Sequence, residues 1–279
     1  MKIFKIYLLL LIPMVSCVNS KGNESVPSTS TEESKLEKDT VHFNTHITGS
    51  GSPTVIFESG LGTPLNNWHQ VQTSISANYK TISYDRLGIG GSSATESPRN
   101  IDNLVSDLRT LITLNEIDGP IVFVGHSLGG HIARKYQELY PSNVVGLFLI
   151  DPTNEYLYDA VFNEMTSETV DSMKTAWDDN FKNQPIGVYN EWKEVDGIDA
   201  VLRKCPLPTG IPITILASYQ ESSFLTETNA KLKKELLSDW QEGKANVTIL
   251  ETTNSGHYIH LGEPDWVISQ LETFLMNIQ

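Results

Sequence analysis

The stretch PIVFVGHSLGGHIARKYQELY, Pro120 to Tyr140, decides how the rest of the chain is read. Ile121 to Val124 are apolar and run without a break into Gly125-His126-Ser127-Leu128-Gly129. Beyond them Ile132, Tyr136, Leu139 and Tyr140 fall on one face of a helix. Gly-x-Ser-x-Gly between a strand and a helix is a nucleophile elbow, a turn that lifts a serine hydroxyl clear of a sheet edge. Such a turn leaves no room for side chains at its flanks, which accounts for Gly125 and Gly129. It also aims the first N–H groups of the helix, Leu128's above all, at one spot beside the hydroxyl. A helix N-terminus favours negative charge, so an oxyanion formed there is stabilised.

Working outward, strands and helices alternate. Upstream, Asn100 caps an amphipathic helix with Ile101, Leu104, Val105, Leu108, Leu111 and Ile112 on its inner face. Thr81 to Tyr84 reads as a strand that enters Asp85-Arg86-Leu87-Gly88-Ile89-Gly90-Gly91-Ser92. Val55 to Phe57 is a short buried strand before Glu58-Ser59-Gly60-Leu61-Gly62, and Trp68, Val71 and Ile75 mark a helix. His42 to Thr48 alternates as an opening strand. Downstream, Val144 to Ile150 is a strand ending in Asp151-Pro152. The alternation indicates a parallel sheet covered on both faces.

Thr153 to Gly210 breaks the pattern. It is polar, acidic and scattered with aromatics (Tyr156, Tyr158, Phe162, Trp177, Phe181, Tyr189, Trp192), and reads as a helical insertion. Those rings either line an apolar slot over Ser127 or form a small core of their own. The sheet resumes at Ile213 to Ala217. Leu225 to Trp240 is a helix on which Lys231, Lys233, Lys234 and Glu235 read as a solvated face. Val247 to Leu250 is the last strand, and Pro264 opens a final helix with Val267, Leu271, Leu275 and Ile278 inward.

The start of the chain reads differently. Lys2 and Lys5 precede an apolar run from Ile6 to Leu11, then Ile12, Met14, Val15 and Ser16, which is a secretory-type leader too short to span a bilayer. Ser16-Cys17 resembles the bacterial lipoprotein signal, with Met14 in place of the usual Leu. That resemblance implies a signal peptide over 1–16 and lipidation of Cys17, in an exported lipoprotein anchored in the bacterial cell envelope. Plain secretion and an uncleaved anchor are the alternatives. Acyl chains contribute roughly 0.8 kcal/mol per buried methylene to such anchoring. Residues 17–40 are Ser, Thr, Glu and Lys with little to bury, a disordered tether. Cys205 is the only other cysteine, so lipidation of Cys17 leaves it without a disulfide partner.

A net charge of −14 over 279 residues speaks against nucleic acid as a partner, since phosphates would be repelled. Gly88-Ile89-Gly90-Gly91 lacks the Lys-Ser/Thr of a phosphate loop. No metal-ligand cluster stands out, and no cofactor is expected.

A serine hydroxyl needs a base within hydrogen-bond reach. Of seven histidines, His257 is best placed, on a loop between the last strand and the last helix, at the sheet edge where the elbow opens. His260 is the runner-up. His42 and His46 read as strand surface, and His126 and His131 as packing or pocket residues.

Ser59-Gly60-Leu61-Gly62, Asp85-Arg86-x-Gly88-x-Gly90, Gly125-His126-Ser127-Leu128-Gly129, and Gly256-His257 with Glu263-Pro264 occur in one order. Over about residues 41–279 the chain therefore resembles the α/β-hydrolase family. The resemblance implies an α/β-hydrolase fold with a mostly parallel eight-stranded sheet and helices on both faces. The core would be 41–152 and 211–279, with a helical cap over 153–210 inserted after strand 6. By position, Ser127 is implied as nucleophile, His257 as general base, and the N–H groups of Leu61 and Leu128 as oxyanion hole. The triad acid usually follows the seventh strand, where this chain has Glu221 and no Asp. Some relatives take it from the end of the sixth, where this chain has Asp151, so both stay candidates. Arg86 reads as a brace. The implied activity is a cofactor-free serine hydrolase cleaving small-molecule acyl esters. Peptidase, lactonase, thioesterase and carbon–carbon hydrolase variants stay open. The rival is a ligand-binding protein on the same scaffold.

Overall fold

The computed structural model describes residues 41–278. The leader over 1–16, Cys17 and the tether over 17–40 lie outside the described residues.

In chain order come β1 (Thr45–Thr48), β2 (Thr54–Glu58), a 3-10 turn (Leu65–Trp68), α1 (His69–Ile75), β3 (Thr81–Tyr84) and α2 (Ile101–Leu114). Next are β4 (Ile121–His126), α3 (Leu128–Leu139) and β5 (Val144–Ile150). The inserted segment holds α4 (Leu157–Asn163), α5 (Ser167–Lys182), α6 (Ile186–Trp192) and α7 (Val195–Leu202). The chain then returns with β6 (Ile213–Ser218), α8 (Glu227–Gln241), β7 (Val247–Thr252), α9 (Ile259–Gly262) and α10 (Pro264–Met276).

The sheet runs β1-β3-β2-β4-β5-β6-β7. Every pairing is parallel except β1 with β3. Strand residues alternate between two cores, as the pleat requires. Ile121, Phe123, Leu147 and Leu149 pack with α2 and α3 on one face. Val122, Val124, Phe148 and Ile150 pack with α1 and α10 on the other. Each fully buried Leu, Ile or Val contributes about 1.5–3 kcal/mol. Both faces are covered, which is why these strands read as continuous apolar runs. Asn100 caps α2 as expected, its side chain accepting from the Asn103 N–H at 3.0 Å.

Among the described residues the sheet has seven strands, not eight. Residues 49–53 turn straight from β1 into β2, with Gly49 at φ 74° and Gly51 at φ 117°, and leave no length for another strand. The helical segment accordingly follows the fifth strand of this sheet. The opening strand is also shorter than its alternation predicts. The backbones of His42 and Asn44 bond to residues of the Asp85–Ser93 loop and so leave the ladder.

The cap is tied to the core by buried charge. Arg134 on α3 holds Glu155 at 2.8 Å, and Arg86 holds Glu191 of α6 at 2.7 Å. Asp199 of α7 faces His131 at 3.8 Å, and its Oδ1 has no hydrogen-bond partner among the described residues. Burial pushes the Asp199 carboxyl up to about 7 and the His131 imidazole down to about 4. A carboxyl raised above its unfolded value favours the folded state only while protonated. Its penalty therefore grows from about pH 4 and is complete above about pH 7. Asp199→Asn should raise the melting temperature by a few degrees at pH 8 and by roughly a third as much at pH 5. Melts followed by circular dichroism at the two pH values check this.

The cap aromatics pack on one another. Phe181 stacks on Trp192 at 4.3 Å, Trp177 meets Trp192 edge-on at 6.1 Å, and Tyr158, Phe162 and Phe224 close round Trp177. Of the insertion's seven rings only Phe181 is buried, and it packs with Ile89 and Leu61 of the sheet domain, so the insertion's aromatics both pack on one another and meet the loop that carries Leu61.

Candidate active site

Sheet register brings the distant motifs together. β2 and β4 are neighbours, with Glu58 opposite Gly125, so the Ser59–Gly62 loop leaves the sheet beside the elbow. His126 lies opposite Ile150, so Asp151 follows on the elbow's other side. Leu216 pairs with Ile150 and Ser218 with Thr252, which carries the edge across to the loop bearing His257. The β2 connection leads to one side of the sheet and the β4 connection to the other, and ligand sites of parallel sheets form at such reversals.

Ser127 has φ 51° and ψ −119°, a conformation costly for any residue with a Cβ. Close packing imposes it. A Cβ on Gly129 would lie 2.1 Å from the Glu58 carbonyl oxygen, and one on Gly125 would lie 2.8 Å from that of Gly129. As the first residue of α3, Leu128 has an N–H with no acceptor within the helix. Leu61 N–H has none among the described residues either. The loop around Leu61 is held from several sides. Arg86 donates to the Ser59 carbonyl at 2.6 Å and the Gly60 carbonyl at 2.7 Å, and the Trp68 indole donates to Ser59 Oγ at 2.9 Å. Glu191 accepts from Gly62 N–H at 2.8 Å. Arg86 also meets Glu58 at 2.9 Å, and Tyr84 donates to the same carboxylate. Burial raises the Glu58 carboxyl despite the opposing guanidinium. Arg86 is thus the brace the sequence indicates. Glu191 was not singled out from the sequence.

Asp151 also sits at positive φ, 42°. One oxygen, Oδ2, is 2.7 Å from His257 Nδ1. The other, Oδ1, accepts from Ser218 N–H at 2.7 Å and from Lys233 Nζ at 2.6 Å. Burial alone would raise this carboxyl, but the Lys233 charge and the His257 contact outweigh it and hold it below its ordinary value. Of the two candidate acids, Asp151 is the one brought to His257. Glu221 is exposed and makes no hydrogen bond or ion pair among the described residues.

The imidazole of His257 is 39% exposed, and its Nε2 makes no hydrogen bond among the described residues. His126 backs it at 4.6 Å between ring centroids and makes a 3.0 Å hydrogen bond to the His257 carbonyl. His260, the runner-up base, is buried and stacked on Trp68, and burial pushes it down to about 3. His131 is buried and bonds the Thr153 carbonyl, while His42 and His46 are exposed near the sheet edge. Among the described residues no hydrogen bond joins Ser127 to His257. Such bonds commonly form only around substrate. No group of His, Cys, Asp and Glu among the described residues is arranged to hold a metal.

Lys233 corrects the sequence reading of α8. Lys231, Lys234 and Glu235 face solvent, but the Lys233 side chain is 6% exposed and touches the site. Its spacing with Leu237 and Trp240, four and seven residues on, was the available signal.

A family model described as "alpha/beta hydrolase fold" matches residues 53–170. The uncharacterized protein YqjL of Bacillus subtilis is 31% identical over 226 residues, covering 78% of this chain and 82% of that protein. Two other curated relatives match over only 35% and 30% of their own length. Among solved structures, Est816, described as an N-acyl homoserine lactone degrading enzyme, superposes with a TM-score of 0.65 at 18% identity. It covers 85% of this chain and 98% of that one. The enol-lactonase from Burkholderia xenovorans LB400 superposes with a TM-score of 0.62 at 19% identity, covering 85% and 97%. At such identities the likeness extends to the fold.

Proposed function

The chain belongs to the α/β-hydrolase fold family, and from that premise we propose that it is a serine hydrolase cleaving carboxylic esters through an acyl-enzyme. One observation carries the reading. A carboxylate grips one nitrogen of a part-exposed imidazole at 2.7 Å, on a loop that leaves the same sheet edge as a serine held at φ 51° at a helix N-terminus. A binding protein has no use for that arrangement.

In the proposed reaction Ser127 Oγ attacks the acyl carbonyl and passes its proton to His257. Asp151 holds the imidazolium through Nδ1. The tetrahedral oxyanion lies against the N–H groups of Leu61 and Leu128, each worth roughly 3 kcal/mol to the transition state. His257 then returns the proton to the leaving alcohol. Water, deprotonated by the same imidazole, releases the acid and frees Ser127. Water apart, every group in these steps is a side chain or backbone amide of this chain. Two structural neighbours carry names of lactone-acting enzymes, and lactones are cyclic esters open to the same attack. They belong in the substrate screen. Export and a lipid anchor at Cys17 are part of the proposal, on the strength of the leader sequence.

The test is a fluorophosphonate probe followed by peptide mapping, beside a hydrolysis screen of acyl esters of graded chain length. One adduct, on the peptide containing Ser127, and release of acid from at least one ester are expected. A folded protein that takes no probe and cleaves no ester or lactone would leave only the binding scaffold.

A further inference from the structure

Lysine is seldom buried without a counter-charge, because desolvating an ammonium costs several kcal/mol. Lys233 is buried from the middle of α8, and three groups surround its ammonium. It donates to Asp151 Oδ1 at 2.6 Å and to the Ser218 carbonyl at 2.9 Å, and the Tyr219 ring centroid lies 5.6 Å away. With Ser218 N–H on the same oxygen, Oδ1 is fully engaged and Oδ2 is left for the imidazole.

We propose that Lys233 is a positioning residue of this site. It fixes the Asp151 carboxylate for His257 by holding Oδ1, so that Oδ2 stays aimed at Nδ1. The inference rests on the serine hydrolase reading above. A carboxylate held through one oxygen alone can turn about its Cβ–Cγ bond. With Oδ1 tied to both the Lys233 ammonium and Ser218 N–H, Oδ2 keeps one direction, toward the imidazole.

Other charged and titratable groups face this point and remain unchanged when Lys233 is altered. His126 approaches the His257 ring from β4 at 4.6 Å between centroids, and Tyr258 approaches at 5.4 Å. His260 lies behind His126 at 4.6 Å. From the end of β6, Tyr219 lies beside both Lys233 and Lys234, and Lys234 is paired with Glu251 at 2.6 Å. A purely structural ion pair docking α8 would govern melting temperature and leave kcat alone. That difference separates the two roles.

The experiment compares the wild type with Lys233→Met, which keeps the bulk and removes the charge. kcat and KM are measured for a short-chain p-nitrophenyl ester across pH. At neutral pH kcat should fall roughly tenfold through loss of alignment, with KM within about twofold. In an Asp151→Asn background the same change should add almost nothing, because the carboxylate it acts through is gone. Lys233→Arg, which keeps a cationic donor toward Oδ1, should lose less of kcat than Lys233→Met. A kcat unchanged in a folded Lys233→Met, or a full effect persisting beside Asp151→Asn, overturns the role of Lys233 alone. Failure of both variants to fold makes Lys233 a packing residue and overturns it as well. A wild type that neither hydrolyses esters nor takes the fluorophosphonate probe overturns the serine hydrolase reading with it.

Discussion

Ser127→Ala is expected to lower kcat by about 10⁶-fold on any ester the protein cleaves, with almost no change in melting temperature. Removing Oγ removes the covalent step, and water must then attack the carbonyl directly. What survives is binding and the oxyanion donors of Leu61 and Leu128, which together retain roughly 10³–10⁴ over the uncatalysed rate. The fold should not notice the change. Ser127 N–H donates to the Ile150 carbonyl at 3.2 Å and its own carbonyl accepts from Gly130 N–H at 2.9 Å. Both bonds are backbone bonds, and the hydroxyl makes none among the described residues. Alanine tolerates φ 51° no better than serine, so the strain of the elbow is unchanged. Steady-state kinetics with the best wild-type ester, beside a thermal melt, give both readouts. A loss under about 100-fold in a folded variant would mean that another group attacks the substrate.

What the sequence revealed and what it hid divide along the range of the interactions. The elbow was legible because its cause is local. Gly125 and Gly129 are glycine because backbone passes within 3 Å of where a side chain would stand. Asn100 and the α2 stripe were legible for the same reason. The identity of the acid was not, since Asp151 and Glu221 each follow a strand and only lateral register separates them. β5 lies beside the elbow strand, whereas Glu221 lies on an exposed loop beyond β6. Lys233 was misread because residue type was given more weight than spacing. It falls in line with Asn229, Leu237 and Trp240 on the inner stripe of α8, and its partner is 82 residues away. Glu191 carried no signal at all. Its reason for being buried is Arg86, 105 residues earlier. The strand count was carried over from the family, and the seven-stranded order of the described residues corrects it. Apolar patterning thus reveals the layers, while buried charge pairs emerge only once the layers are stacked.

The choice between the two acids leads to the second large effect. Asp151→Asn should lower kcat by about 10⁴-fold at neutral pH, and Glu221→Gln should leave it within about twofold. The argument follows the hydrogen bonds. In the wild type Oδ2 accepts from His257 Nδ1, which leaves the second ring nitrogen unprotonated and able to receive the serine proton. An asparagine at 151 still offers one oxygen, and Ser218 N–H and the Lys233 ammonium compete for it at the Oδ1 position, 2.7 Å and 2.6 Å away. The amide NH₂ then faces the imidazole and donates to Nδ1. That reverses the tautomer, and the ring presents a proton to Ser127 instead of a lone pair. The imidazolium also loses its counter-charge, while Lys233 stays buried without one, so the transition state is destabilised twice by the same substitution. Glu221 enters none of these bonds. Kinetics for the two variants, with circular dichroism to establish that each folds, decide the matter. A large loss in Glu221→Gln with Asp151→Asn near wild type would move the acid to the loop after β6. The 2.7 Å contact at Asp151 would then be a structural bond that merely orders the histidine loop.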